Sequence, residues 1–265
     1  MSETNKVKDT IEAVTGLVEA VPVYEDLAQP AAKELGKTLL TGAKLINMTL
    51  APVSGLVWGY EKIKEYLIPK LEEKLEKVPP ENIVTPDPTI AVPSIEAMRY
   101  TSHKEELREM YVNLLANSMN NETSDSSHPA FVEIIKQLAS DEALIFKYFD
   151  SEENFPIIRI DGDINEGKSF LTTLNNFSTI PYEVNCSNPK LASQYLDNLV
   201  RLGLLSISYN ASLTNKVLYT PLEEHQLVQE YVQRTKAQGR TPRFTHGYIT
   251  RTNFGSLFYD MCILD

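Results

Sequence analysis

The chain has 265 residues, 42% hydrophobic and 23% charged, which is the balance of a globular protein rather than a disordered or fibrous one. A formal net charge of −11 excludes general nucleic-acid binding by the whole surface, because phosphate contacts need Lys and Arg. The charge is uneven, though: residues 190–265 hold 8 Lys and Arg against 6 Asp and Glu, a net of +2 inside an acidic protein.

Only Cys186 and Cys262 occur, too few for a disulfide framework, so a reducing cytoplasm is the expected compartment. The N-terminus lacks the apolar core and cleavage site of a secretory signal. No run reaches the roughly 18 uncharged apolar residues of a membrane span. The nearest is Leu45 to Tyr60, which is broken by Asn47, Ser54 and Pro52.

In chain order, Val7, Ile11, Val14, Leu17, Val18 and Val21 make an apolar helical stripe that stops at Pro22. Its polar face mixes Lys8 and Asp9 with Glu12, unlike the Lys/Arg-rich face of a membrane-surface helix, so docking on the protein is expected. A second helix is expected from Pro30 to Leu50 and a third from Val53 to Lys77, with Ile63, Leu67, Leu71 and Leu75 on its apolar side. Within the uncharged run, Gly55, Trp58 and Gly59 form a G-x-x-x-G segment that permits close helix approach. That segment suits a bundle core; the alternative is insertion of residues 30–60 into a membrane on activation.

The proline-rich stretch 78–93 reads as an extended connector, because interior proline removes helix hydrogen bonds. It is expected to divide a helical region, residues 1–77, from a second helical region, 94–150. Ser94 is placed to cap a helix from Ile95 to Met119, interrupted near Tyr100–His103, with Leu107, Met110, Tyr111, Leu114 and Leu115 as its apolar face. A polar loop, Asn120 to Ser127, precedes helices opened by Pro129 and by Ser140-Asp141-Glu142, the latter putting negative charge at the positive end of a helix dipole.

Beyond Asp150, Pro156–Ile160 reads as a strand and Phe170–Phe177 as a helix. Residues Pro189–Leu202 form a helix ended by Gly203; Leu204–Tyr209 is a strand; Pro221–Ala237 is a helix; Gly247–Thr252 is a strand before a last short helix. The expected class is mainly α with a small β component: a helical N-terminal part and, over 151–265, a winged-helix-like part with an inserted helix. A winged helix would use Pro189–Leu202 as its recognition helix. Lys190, Gln194, Asn198 and Arg201 then become candidate nucleic-acid or partner contacts, together with Ser193 and Asp197. Arg234, Lys236, Arg240, Arg243 and Arg251 would add phosphate contacts.

Chemistry-bearing motifs are weaker. His103, His128, His225 and His246 show no H-x-x-x-H spacing and neither cysteine lies near a histidine, so no metal ligands are assigned. Asp161, Asp163 and Glu166 do not complete a calcium loop. Gly162 to Ser169 formally matches the phosphate-loop pattern G-x-x-x-x-G-K-S, but Asp163 and Glu166 put negative charge where phosphates would sit. No catalytic residues, cofactor or small-molecule substrate emerge, and a non-enzymatic protein is expected.

The order of features in Leu114–Phe149 is specific: a helix end, a polar loop, a His-Pro helix start and an acidic start to the next helix. Together with Pro93–Ile95, Leu114–Met119, His128–Ala143 and Leu196–Leu205, it resembles the abortive infection alpha family of bacterial proteins. The resemblance spans roughly residues 31–263. It implies a role in phage defence, often by halting or killing the infected cell, and carries no catalytic residues across. An unidentified protein partner or self-association is then expected; DNA through residues 190–265 and a membrane through residues 30–60 are the alternatives.

Overall fold

The computed structural model describes residues 57–101, 103–151, 153–164 and 169–264. The helices expected at 7–21 and 30–50, the residue Gly55 and most of the segment 30–60 lie outside them. The chain is mainly helical with a small four-stranded sheet, and it divides into two compact units. One runs through Gln137 and takes in the chain again from Met261; the other is Leu138–Asp260. No helix among the described residues is long and apolar enough to cross a membrane.

The first unit is helical. Helix α1, Tyr60–Leu75, buries Ile63, Leu67, Leu71 and Leu75, spaced four apart so that they fall on one face. Helix α2 is Pro88–Met98, a correction to the extended reading of 78–93. Pro88 takes the first helical position, where the missing N–H would have no partner anyway. Asp87 caps the end by accepting from the Thr89 backbone N–H and hydroxyl, both at 2.7 Å. Ser94 is therefore not a cap: it sits inside α2, fully buried, with no partner for its hydroxyl among the described residues.

Helix α3, Glu105–Ser118, buries Leu107, Met110, Tyr111, Leu114 and Leu115, and also Val112, Asn113 and Ala116, so it is enclosed nearly all round. Asn113 and Asn117 donate, each at 3.1 Å, to the carbonyls of Cys262 and Met261. The polar loop holds a short turn, Ser124–Ser126, and α4, Ala130–Lys136, follows. His128 prepares its start by accepting from the Ala130 N–H through Nδ1 at 3.0 Å.

The second unit opens with α5, Ser140–Lys147. Its sheet comprises β1 (Phe155–Asp163), β2 (Phe170–Phe177), β3 (Leu205–Ser208) and β4 (Thr241–Arg251), all antiparallel in the order β2-β1-β4-β3. The helix expected at 170–177 is thus an edge strand. Four helices join these strands: α6 (Ile180–Glu183), α7 (Ala192–Arg201), α8 (Thr220–Glu223) and α9 (Gln226–Ala237). Gly203, at φ +75°, ends α7 while Leu204 N–H bonds back to the Leu199 carbonyl at 3.0 Å. The 32 residues between β3 and β4 fold over one sheet face. There Val228, Val232, Leu222 and Tyr219 pack on Ile158, Ile160 and Phe177. The final helix, α10 (Asn253–Cys262), carries the chain back to the first unit.

Candidate nucleic-acid interface

Helix α7 and the short turn before it, Pro189–Leu191, present the polar side chains singled out from the sequence, but most of them are engaged inside their own unit. Ser193 Oγ donates to the Asn175 carbonyl. Asp197 accepts from Asn176 Nδ2 at 2.7 Å, and Asn198 Nδ2 donates to both Glu142 carboxylate oxygens at 2.9 Å. Arg201 donates to Asn198 Oδ1 through Nε and Nη2 at 2.9 and 2.7 Å. Lys190 and Gln194 are exposed. Arg251 lies 4.4 Å from the centre of the Tyr259 ring, half-buried, with Nε and Nη1 enclosed and unpartnered. In the first unit Trp58 is buried, edge-on to Tyr66 at 5.4 Å, and the Arg108 guanidinium covers its face at 5.1 Å. Among the described residues, a Cβ on Gly59 would have no neighbour within 4 Å.

The acidic pair at the start of α5 is a tie rather than a site. Asp141 accepts from the Ser187 and Asn188 N–H groups at 2.9 and 3.2 Å and from the Tyr195 hydroxyl at 2.8 Å. Burial pushes its carboxyl up, but those three donors outweigh it and hold it below the ordinary range. Glu142 accepts from the Ala139 N–H at 2.8 Å, completing the helix start, yet burial keeps its carboxyl above the ordinary range.

A different constellation emerges at the other end of the unit. From Tyr231 to Arg251 the chain carries five cations, Arg234, Lys236, Arg240, Arg243 and Arg251, and no Asp or Glu. Arg234 and Lys236 lie in the last turn of α9, where the helix dipole favours positive charge. Gly239, at φ +71°, turns the chain, and Arg240 leads into β4. The turn folds Arg234 and Arg240 onto one groove between α9 and edge strand β2, about 320 Å³ in volume, whose walls include Leu171, Thr173, Tyr231 and Gln238. Thr235 Oγ1 joins the two elements through Thr173 Oγ1 at 3.1 Å. Both arginines are pre-positioned. The Arg234 guanidinium lies 5.2 Å from the Tyr231 ring centre, and Arg240 Nη1 donates to Gln238 Oε1 at 2.8 Å.

Gly162 makes this closeness possible. A Cβ there would lie 3.0 Å from Arg240 Cδ and 3.1 Å from Thr235 Cγ2. That is the role of the first glycine of the G-x-x-x-x-G-K-S match. It belongs to β1, paired with Leu171 and Pro242, and the strand β2 stands where a phosphate loop needs a helix. Residues 165–168 of the match lie outside the described residues. Asp161 likewise is no calcium ligand: it is buried in β1, bonded to Arg159, Thr172 and Thr245 at 3.0, 2.7 and 3.2 Å.

Arg243 is directly opposite Asp161 on β4, so it projects from the other sheet face, 5.3 Å from the centre of the exposed Phe170 ring. Among the described residues, Arg234, Lys236, Arg240 and Arg243 enter no ion pair. The two faces of β2 thus carry an arginine pair on one side and an arginine–aromatic pair on the other. The sequence showed the cations; the turn and the sheet register that group them had no local signal.

One further polar contact was not foreseen. His246 Nε2 meets Glu223 Oε1 at 2.5 Å and stacks on Tyr219, centroids 4.1 Å apart. The Tyr219 hydroxyl donates to the Gly247 carbonyl at 2.7 Å, so the stack fixes α8 against β4. His225 accepts from the Leu227 N–H at 3.2 Å as a helix cap, with burial lowering its ring pKa. Among the described residues, no three His, Cys, Asp or Glu side chains gather as metal ligands.

The family model described as abortive infection alpha matches residues 59–262. No curated protein matches the chain. Among solved structures, an uncharacterized protein from the hydrocarbon-degrading marine bacterium Alcanivorax borkumensis SK2 aligns at 14% identity and a TM-score of 0.36, over 50% of this chain and 94% of that one.

Proposed function

Because the chain belongs to the abortive infection alpha family, we propose that it is a phage-defence protein that acts without catalysing a reaction, through contact with another macromolecule. The observation that carries the contact reading is the carboxylate-free segment Tyr231–Arg251, folded so that Arg234, Arg240 and Arg243 flank one edge strand of an otherwise acidic chain. Such a surface concentrates positive potential where the rest of the molecule repels anions. We place the protein in the cytoplasm, as its sparse cysteines favour.

The test is phage challenge of cultures that carry the wild type or the Arg234→Ala/Arg240→Ala/Arg243→Ala variant, at low and high phage-to-cell ratio. Protection at low ratio with collapse at high ratio is expected for the wild type, and loss of protection for the variant. A triple variant that protects as well as wild type would remove the contact surface from the function.

A winged-helix DNA reader is the second reading, favoured by the order of helix α7 followed by the paired strands β3 and β4. In it α7 would enter the major groove. The engagement of Ser193, Asp197 and Asn198 leaves Lys190 and Gln194 as its readers, so duplex binding lost in Lys190→Ala/Gln194→Ala would favour it. The membrane reading of residues 30–60 is tested by liposome leakage.

A further inference from the structure

The groove between α9 and β2 has the chemistry of a phosphate site. We propose that it binds the backbone of a single-stranded nucleic acid, with phosphates on Arg234 and Arg240 and a base stacked beside Phe170 and Arg243; this rests on the contact reading above.

Guanidinium groups match phosphate oxygens with two parallel hydrogen bonds. Here each is already oriented, Arg234 by Tyr231 and Arg240 by Gln238, so little side-chain freedom is lost on binding. The strand beneath them is an edge strand, with β1 on one side only. A bound chain can therefore pass from the groove over the edge of β2 to its other face, where Phe170 is 42% exposed with Arg243 over its ring.

That path selects the strand state of the ligand. Going from one sheet face to the other round a single strand is a sharp bend, and a duplex is stiff over about 150 base pairs. A single strand makes such bends freely. Its unpaired bases also present faces that stack on aromatic rings and guanidinium planes. Leu171, 47% exposed on the groove wall, adds apolar contact of the same kind. A purely acidic chain such as polyglutamate would satisfy the arginines but leave the exposed ring and Leu171 without a counterpart.

The experiment is fluorescence anisotropy on the full chain with a labelled oligothymidylate, its duplex with oligoadenylate, and a salt series. Single strand is expected to bind more tightly than duplex. The slope of log affinity against log salt should be about −1.4 for the two phosphates held by Arg234 and Arg240, at roughly −0.7 each. Arg234→Ala/Arg240→Ala should reduce that slope by about 1.4 and weaken binding about tenfold or more at low salt. Phe170→Leu should weaken single-strand binding while leaving the slope in place, and Lys190→Ala/Gln194→Ala should change nothing. Melting curves of each variant control for folding.

No binding at low salt, a preference for duplex, unchanged affinity in the double arginine variant, or displacement by polyglutamate at equal charge would each overturn the proposal. Loss of phage protection in that double variant without oligonucleotide binding would overturn this inference and leave the contact reading standing.

Discussion

Gly255 lies so close to the chain before it that an added Cβ would overlap the Leu204 carbonyl, which is backbone and cannot move aside. Gly162 is tight too, but its neighbours are the Arg240 side chain and the Thr235 methyl, at 3.0 and 3.1 Å. The difference sets two magnitudes. Gly255→Ala should destabilise by about 3 kcal/mol or more, and Gly162→Ala by about 1 kcal/mol while displacing Arg240 from its groove. Urea unfolding of the two variants checks the order; equal losses would refute the packing assigned to Gly162. Asp141 carries a pH dependence. Its folded carboxyl lies below the unfolded value of about 3.9, so it contributes stability above that pH and loses it as pH falls through the lower folded value. Glu142 has the opposite sign: its raised carboxyl costs stability as a carboxylate at neutral pH, and that cost is relieved as it protonates in acid. Asp141→Asn should therefore cost about 1–3 kcal/mol at pH 7 through its weakened bonds to Ser187 and Asn188, and flatten the loss of stability below pH 4. Stability curves for both proteins from pH 2 to 7 decide it, since parallel curves would contradict the assignment.

At the scale of elements, legibility followed the strength of periodic burial. Helices α1, α3, α4 and α7 were readable because their apolar residues recur at helical spacing and their ends carry signals such as His128-Pro129 and Gly203. Strand β2 was not. In FLTTLNNF the apolar residues Phe170, Leu171, Leu174 and Phe177 fall at helical spacing, so the segment reads as a helix, whereas in the strand the first three side chains are exposed and the last two buried. Its pairing with β1, bulged near Ile160, supplies what the local sequence lacks. Helix α2 was missed for another reason: proline was weighed as a breaker throughout 78–93, although Asp87-Pro88 is a helix start. The misreading of Ser94 has a test with a definite sign. A capping serine costs about 1 kcal/mol when replaced by alanine. A buried hydroxyl with no partner instead carries an uncompensated desolvation cost, so Ser94→Ala should be neutral or stabilise by about 1 kcal/mol. A rise or no change in Tm supports the interior placement; a fall of several degrees would restore the cap.

Across the whole molecule, composition exposed an acidic chain with a basic end, but not which cations meet. Arg234, Arg240 and Arg243 are grouped by a turn at Gly239 and by the register that sets Arg243 opposite Asp161, and neither follows from residue spacing alone. The same global organisation puts one cysteine in each compact unit, Cys262 in the first and Cys186 in the second. Both are buried, and burial pushes the Cys186 thiol up to about 11 and the Cys262 thiol well above the ordinary value. The thiolate is the reactive form. At pH 8 a thiol at about 9 is about a tenth ionised, whereas one at about 11 is ionised about once in a thousand, a reduction of roughly 100-fold before access is considered. Alkylation of the native chain at pH 8 should therefore leave both cysteines unlabelled on the timescale that consumes a free thiol, and denaturant should release both. Mass spectrometry of the two peptides through a urea series then reads the opening of each unit separately. Rapid labelling of Cys186 without denaturant would mean that the Asp141 tie to Ser187 and Asn188 does not hold the second unit closed, and rapid labelling of Cys262 would mean the same of the Asn113 bond to its carbonyl.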